Sequence, residues 1–259
     1  MKGLKLRLVV KIGTSTLTHK GGHLNIRRVE ELCKVLSDIS NAGHELVIVS
    51  SGAIAMGISK LGLIERPNDI PTYQAVSAIG QCALMYVYDK LFTEHNHVIG
   101  QILITGADLR NGERRENFHN TLFKLLEMKT IPIINENDTI GTEEIVIGDN
   151  DQLAAYVART IEADMLIMLT DIDGLFTAAP NVDPNAVFIP LVEEITPEIE
   201  KIAGGAGTKF GTGGMYTKIK AAKIATEAGT EMVITNGHDP DNLYCTVEGH
   251  TKGTRFLAK

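Results

Sequence analysis

Short apolar runs rich in Val, Ile and Leu alternate with helical patterns along almost the whole chain, and this alternation strongly limits the possible folds. The runs predict strands at 6–12, 44–50, 98–104, 131–134, 165–169 and 232–234. Apolar residues at helical spacing predict helices near 25–41, 72–95, 113–128, 151–162 and 214–228. Apolar strands that are each followed by a helix are typical of a parallel sheet covered on both faces. The sequence therefore predicts an α/β fold, a three-layer α/β/α sandwich with a mainly parallel central sheet.

The pattern runs on without an internal repeat, a low-complexity segment or a convincing linker. The glycine-rich stretch 204–214 is flanked on both sides by pieces of the same α/β pattern. We therefore expect a single domain over residues 1–259.

Charge and cysteine content limit the cellular setting and the kind of partner. A net charge of −7 weighs against nucleic acid and membrane surfaces, because both require a positive face. The chain has no signal-peptide pattern and no run of membrane-spanning length. Cys33, Cys82 and Cys245 form no CxxC pair and are predicted to be reduced and mostly buried. We expect a cytoplasmic protein that holds anionic ligands with a local basic or backbone site.

Polar residues stand where the first two predicted strands end, and open α/β sheets bind ligands at that edge. Lys11 lies inside an apolar strand, which is costly unless its ammonium group reaches water or an anion. Ser51, Gly52 and Ala53 begin a helix whose free N–H groups suit a carboxylate or phosphate. The alternatives are a lysine that only extends to solvent and an ordinary capped helix.

Acids and amides crowd into two short runs, 135–138 and 148–151. Four acids and three amides in these runs would repel one another unless they bind a cation, which could be an ammonium group, a metal or a lysine. A solvated acidic loop is the alternative.

Glycines and threonines in the stretch 211–218 open a helix, which suits a phosphate chain. The stretch is neither a P-loop nor a GxGxxG turn. Two lysines, this helix start and the acidic runs together favour phosphoryl transfer, which depends on positioning and charge neutralisation. A carboxylate acceptor would need no general base, since it is already ionised near neutral pH. Asp149 or Asp151 would then orient the lysines and Mg²⁺.

Six collinear motifs, VVKIGTS, VSSGAI, INENDTI, GDNDQL, LTDIDGL and GTGGMYTK, resemble the glutamate 5-kinases of the amino acid kinase family through nearly all of the chain. The resemblance implies ATP-dependent phosphorylation of the side-chain carboxylate of L-glutamate to L-glutamyl 5-phosphate, the first step of proline biosynthesis. It implies Mg²⁺ with ATP as co-substrate, and it leaves direct metal ligands unassigned.

The resemblance also assigns residues to roles. The implied catalytic residues are Lys11, Lys218, Asp151 and Asp149. The implied glutamate-binding residues are Ser51, Gly52, Ala53, Asn135, Asp138 and Asn150. The implied ATP-binding residues are Lys11, Thr170, Asp171, Thr212, Gly213, Gly214, Met215, Tyr216, Thr217 and Lys218. Asp138 suits the free ammonium group of glutamate, a charge that acetylglutamate lacks.

The resemblance further implies a homo-oligomer, feedback inhibition by proline and glutamyl phosphate reductase as a partner. Two departures are visible: no C-terminal PUA module is expected, and the family's Tyr-Thr-Ala-Asp-Pro stretch reads Phe-Thr-Ala-Ala-Pro at 176–180. A sister kinase acting on acetylglutamate, carbamate, aspartate or a nucleoside monophosphate remains an alternative. So does a ligand sensor that has kept the fold, although retention of Lys11, Asp151 and Lys218 argues against it.

Overall fold

The computed structural model describes residues 5–141, 150–204 and 214–259. Its strands are β1 (Arg7–Ile12), β2 (Glu45–Ser50), β3 (Ile99–Ile104), β4 (Ile131–Glu136), β5 (Met165–Thr170), β6 (Leu175–Phe176), β7 (Phe188–Ile189), β8 (Leu191–Val192), β9 (Glu231–Asn236) and β10 (Gly253–Phe256). Its helices are α1 (Thr14–Leu17), α2 (Ile26–Asn41), α3 (Ala53–Leu61), α4 (Ile70–Thr93), α5 (Gly106–Arg110), α6 (Gly112–Glu127), α7 (Asn150–Thr160), α8 (Pro197–Ala203), α9 (Met215–Thr226) and α10 (Asn242–Val247).

Eight strands form one sheet in the order β3-β4-β2-β1-β5-β9-β10-β8. Every pair from β3 to β9 in that order is parallel, while β10 runs antiparallel to β9. Strands β6 and β7 form a separate antiparallel pair. The predicted α/β fold with a mainly parallel sheet is confirmed.

Strand β1 lies at the centre of the sheet, and its side chains alternate between two apolar layers. Leu8, Val10 and Ile12 pack with α2, α4 and α10, whereas Val9 packs with α6, α7 and α9. Because side chains alternate along a strand, Lys11 faces the same layer as Val9. This alternation aims its ammonium group at the starts of α7 and α9.

Most of the predicted elements match the structure within a few residues. The main difference is β4, which was predicted to end at residue 134 and extends to Glu136, so that Asn135 and Glu136 belong to the strand. The expectation of mostly buried cysteines is wrong for Cys82, which lies on the outer face of α4, while Cys33 is buried and Cys245 half-buried. Within the three described ranges, we find no helix long and apolar enough to cross a membrane.

Candidate functional site

One buried carboxylate holds two lysines at the carboxyl edge of the sheet. Lys11 Nζ lies 2.6 Å from Asp151 Oδ1, and Lys218 Nζ lies 3.1 Å from Asp151 Oδ2. Asp151 is fully buried, and each lysine is 5% exposed. The Thr217 hydroxyl lies within hydrogen-bonding distance, 2.8 Å, of Asp151 Oδ2. Three residues that are far apart in the sequence therefore form one compact cationic cluster.

Helix starts bring this cluster together. Asp151 is the second residue of α7, and Lys218 is the fourth of α9, one turn into the helix as the sequence predicted. Lys11 comes from the end of β1. Because the strands are parallel, their carboxyl ends and the helices that follow them meet at the same edge.

The charge of Asp151 depends on its two lysine partners. Burial alone would raise the pKa of this carboxyl, but the charges of Lys11 and Lys218 and the hydrogen bonds from Lys11 and Thr217 outweigh burial and lower the pKa to about 2. Asp151 is therefore ionised at neutral pH, and it keeps two ammonium groups in a low-dielectric site. It is suited to orient these groups and unsuited to act as a base.

Polar side chains from β4, α7 and the turn after β2 meet beside this cluster. The Asn150 Nδ2 amide donates to Ser51 Oγ at 2.8 Å and to Asn135 Oδ1 at 2.9 Å. A longer contact of 3.3 Å joins the same nitrogen to the Ser50 carbonyl oxygen. Three of the substrate-binding residues predicted from the sequence are thus joined by hydrogen bonds, with Asn150 donating to both Ser51 and Asn135.

The start of α3 lies next to these amides. Gly52 is its N-cap with φ of 104°, a left-handed conformation that glycine adopts without strain. No side chain of the described residues caps the first turn, which begins at Ala53. Backbone N–H groups at such a helix start can hold a carboxylate or a phosphate oxygen.

Asp138 lies at the far side of this polar region. Its Oδ2 accepts a hydrogen bond of 2.7 Å from the Ser77 hydroxyl on α4. Burial raises the pKa of Asp138, and the hydrogen bond from Ser77 and the charge of Arg66 only partly oppose this shift. A carboxylate in this environment favours a cationic partner, which would stabilise its charge.

The edge formed by β5 and β9 carries the predicted nucleotide residues. Thr170 is buried, its hydroxyl contacts Asp171 Oδ1 at 3.1 Å, and its carbonyl oxygen accepts a hydrogen bond of 2.7 Å from the Gly237 N–H. At the start of α9, Tyr216 is half exposed with Lys220 Nζ 4.4 Å from its ring centroid. Gly214 is the N-cap and Met215 the first residue of that helix.

A cavity of about 640 Å³ opens at this edge. Its lining includes two aromatic rings whose centroids lie 5.3 Å apart, those of Phe176 and Phe188. The other lining residues are Asp173, Asn236, His238, Asp239, Asn242, Lys252 and Gly253. Asn242 is 5% exposed, and its Oδ1 accepts no hydrogen bond within the described part of the chain.

Sequence reasoning missed these cavity residues and the α4 side chains beside Asn135 and Asp138. The position of Asn236 at the end of β9 is a signal that could have been used, since ligands bind at such ends. Of the predicted site residues, Asp149, Thr212 and Gly213 lie outside the described residues. In the ranges that are described, no group of three or more His, Cys, Asp or Glu side chains could hold a metal ion.

The fold and the cluster at its edge agree with one family. The model of the amino acid kinase family matches residues 6–236. The chain belongs to the amino acid kinase family. Solved structures of the same fold include a carbamate kinase from Giardia lamblia bound to AMP-PNP (TM-score 0.69, 15% identity, 100% of both chains) and a UMP kinase from Ureaplasma parvum (TM-score 0.65, 15% identity, 98% of this chain and 99% of that one).

Within this family, the chain is similar to glutamate 5-kinases. The glutamate 5-kinase of Listeria innocua is 49% identical over 257 residues, which are 98% of this chain and 93% of the relative. That of Clostridium perfringens is 49% identical over 257 residues, 98% of this chain and 96% of the relative. The resemblance drawn from the six motifs is confirmed.

Proposed function

We propose that the protein transfers the γ-phosphoryl group of ATP to the side-chain carboxylate of L-glutamate, giving L-glutamyl 5-phosphate, the first step of proline biosynthesis. The observation that carries this proposal is the buried cluster of Lys11, Asp151 and Lys218, which lies between the polar pocket near Ser51 and the cavity near Phe176. The similarity to glutamate 5-kinases supports the choice of acceptor.

The two lysines act on the charge that develops during transfer. As a carboxylate oxygen bonds to the γ-phosphorus and the bond to the bridging oxygen of ADP breaks, negative charge spreads over the phosphoryl oxygens. Lys11 and Lys218 are held by Asp151, so their ammonium groups are preorganised for this charge. The acceptor is already ionised, and the step needs no general base.

The polar pocket supplies complementary partners for a free amino acid. Asp138 binds the ammonium group, because burial disfavours its negative charge, as the raised pKa shows, and a bound cation offsets that cost. Ser51, Asn135, Asn150 and the N–H groups at the start of α3, from Gly52 and Ala53, bind carboxylate oxygens. An N-acetylated substrate would leave Asp138 without a counter-charge.

The nucleotide lies along the other side of the cluster. Its phosphates approach Lys11, Lys218 and the start of α9, and Thr170 and Asp171 lie at the adjacent end of β5. The base enters the cavity lined by Phe176 and Phe188, where aromatic faces suit a planar ring.

Mg²⁺ enters with ATP as part of the co-substrate. Asp151 is occupied by two lysines, and the described residues offer no cluster of acids that could enclose a metal ion. Mg²⁺ typically keeps several waters and binds mainly through substrate phosphates in such sites. A cytoplasmic location, a homo-oligomer, feedback inhibition by proline, a reductase partner and a single domain remain predictions.

The experiment that tests this function is ADP release with Mg-ATP and one of four acceptor conditions: glutamate, acetylglutamate, aspartate or none. Hydroxylamine is added to trap an acyl phosphate as a hydroxamate. We expect hydroxamate with glutamate only. Turnover with another acceptor would support a kinase activity but contradict glutamate as its substrate. Inactivity with every acceptor would contradict the proposed reaction.

A further inference from the structure

A chain of three side-chain amides links the middle of α4 to the predicted glutamate pocket. Asn135 Nδ2 donates to Gln81 Oε1 at 2.9 Å. Asn135 Oδ1 accepts from Asn150 Nδ2 at 2.9 Å, and the same nitrogen donates to Ser51 Oγ at 2.8 Å. We call this chain, Gln81–Asn135–Asn150–Ser51, the amide relay. Gln81 belongs to none of the motifs that identify the family.

Two groups together hold the direction of the amide relay, a backbone N–H at the Asn135 oxygen and the Gln81 oxygen at the Asn135 nitrogen. The N–H of Glu136 donates to Asn135 Oδ1 at 2.9 Å, and a backbone N–H can only donate. The oxygen of the Asn135 amide must therefore face Glu136 and Asn150. Its nitrogen must then face Gln81, which has to offer an acceptor oxygen there.

Burial prevents water from replacing Gln81 in this relay. Asn135 is 3% exposed and Gln81 8%. Helix α4 also cannot easily move away, because Gly80 packs directly on the start of α3: a Cβ at Gly80 would lie 1.7 Å from the Ala53 carbonyl oxygen. Without the Gln81 oxygen, the Asn135 nitrogen would be a buried donor with no acceptor, which is unfavourable.

The direction of the amide relay decides what Ser51 can offer a ligand. Because Ser51 Oγ accepts from Asn150, its own proton is not used by Asn150 and can be donated. With Asn150 reversed, the hydroxyl would donate to the Asn150 oxygen and present only lone pairs. A Ser51 hydroxyl that can donate its proton attracts a carboxylate, whereas one that presents only lone pairs repels it.

We infer that Gln81 is a positioning residue that acts through Asn135 and Asn150 to make Ser51 a hydrogen-bond donor to a carboxylate oxygen of the acceptor substrate. The inference rests on the proposed function. Gln81 itself does not contact the substrate: its Nε2 is fully buried and has no hydrogen-bond partner among the described residues. Its effect on the reaction comes from its oxygen atom.

A double-mutant cycle of Gln81→Met and Ser51→Ala tests the inference in the hydroxamate assay. Gln81→Met keeps the length of the side chain and removes the acceptor oxygen. We expect it to raise KM for glutamate about tenfold, the loss typical of one hydrogen bond to a charged group. KM for ATP and kcat should change less than about twofold, because Lys11 and Lys218 are not part of the amide relay.

The coupling in this cycle separates positioning from a general structural effect. If Gln81 acts through Ser51, the KM of the double variant for glutamate should be about that of Ser51→Ala alone, since the effects of substitutions at interacting residues are not additive. Gln81→Glu keeps an acceptor for Asn135, so the effect of Ser51→Ala should persist in that background. If Gln81→Met does not fold, Gln81→Leu, which also lacks the acceptor, takes its place in the cycle.

Gln101→Met is the matched control, since it makes the same replacement at an exposed glutamine on β3. It should leave KM for glutamate unchanged. An unchanged KM for glutamate in Gln81→Met would overturn the inference. So would a double variant whose fold-increase in KM equals the product of the increases in Gln81→Met and Ser51→Ala. Failure of the wild-type protein to phosphorylate glutamate would instead overturn the proposed function.

Discussion

Asp151 forms ion pairs with two ammonium groups that have almost no access to water, so the cluster keeps one net positive charge for the phosphoryl group. Removing its charge in Asp151→Asn leaves two buried cations with a neutral amide, and we expect the free energy of unfolding to fall by about 3–5 kcal/mol, as when other buried ion pairs are broken. The lysines also lose the partner that holds them in position, and kcat should drop about 100-fold or more. Urea unfolding and the hydroxamate assay measure the two effects.

Acid denaturation gives an independent check on the same residue. The pKa of Asp151 is lowered in the folded protein from an ordinary 3.8 to about 2, so below pH 4 the unfolded chain binds more protons. The stabilisation, on the order of 2 kcal/mol, is therefore present at neutral pH and is lost as the pH falls from about 4 towards 2. The Asp151→Asn variant should lack this part of the acid transition. An identical acid slope in both proteins would contradict the ion-pair account.

Asp138 has the opposite shift and a different prediction. Its pKa is raised in the folded protein, so just above the ordinary value the folded state binds more protons, and stability falls as the pH rises through the folded pKa. Asp138→Asn removes a partly desolvated charge, and we expect the ligand-free protein to melt at a higher temperature near neutral pH. KM for glutamate should rise about tenfold or more, since a charge-assisted contact to the ammonium group is lost.

Calorimetry of ligand-free wild type and Asp138→Asn, together with the glutamate dependence of the rate, checks both parts. An unchanged KM would show that the ammonium group binds elsewhere and would reopen the choice among acceptors. A lower melting temperature would show that the hydrogen bond from Ser77 outweighs the burial of Asp138.

At the scale of single residues, the sequence predicted the cationic cluster because its members carry local signals. Lys11 is a charge inside an apolar strand, and Lys218 follows a glycine-rich helix start. Ser77 and Gln81 could not be predicted in the same way, because a polar residue inside a long helix is usually solvent-exposed. Only the packing of α4 against the sheet turns that face towards the pocket.

At the scale of elements, the crossing of α3 and α4 supports the polar pocket. The two backbones touch at Gly57 and Gly80, where an added Cβ would lie 2.0 Å from the Val76 carbonyl oxygen and 1.7 Å from the Ala53 carbonyl oxygen. Gly80→Ala should displace the start of α3. We expect a loss of about 1–3 kcal/mol of stability and a higher KM for glutamate, because Ala53 begins the helix that faces the substrate.

Gly112→Ala is the control for this prediction. Gly112 begins α6, and a Cβ there would meet nothing within 4 Å. This variant should be more stable by about 0.5–1 kcal/mol, the usual difference between alanine and glycine in a helix. Equal behaviour of the two variants in urea unfolding would show that the α3–α4 crossing tolerates a side chain.

The long elements could be predicted because six-residue apolar strands and amphipathic helices have a clear period. The two-residue strands β6, β7 and β8 have none, since they form only where tertiary packing brings the chain together. The last residues of β4 were missed for a related reason. Asn135 and Glu136 are polar, and only their burial in the sheet reveals them as strand.

At the scale of the whole molecule, the proposed sites for the two substrates lie on opposite sides of one cluster, and both ligands should stabilise the folded state. Each ligand present at 100 times its Kd adds about 2.7 kcal/mol, which for a chain of this size raises Tm by roughly 5–10 °C. We expect such shifts with a non-hydrolysable ATP analogue and with glutamate, measured by calorimetry. The Asp138→Asn variant should keep the shift from the analogue and lose most of that from glutamate. Loss of both shifts would mean that this substitution disrupts more than the glutamate pocket.

The central place of β1 also has a consequence for how the chain is made. This strand leaves the ribosome before its neighbour β5, from which it is separated by 157 residues. At a synthesis rate of about 5–20 residues per second, the β5-facing edge of β1 waits about 8–30 s for that partner. An apolar strand with an unpaired edge invites association with other chains. Nascent chains that stop before Met165 should therefore aggregate or depend on a chaperone.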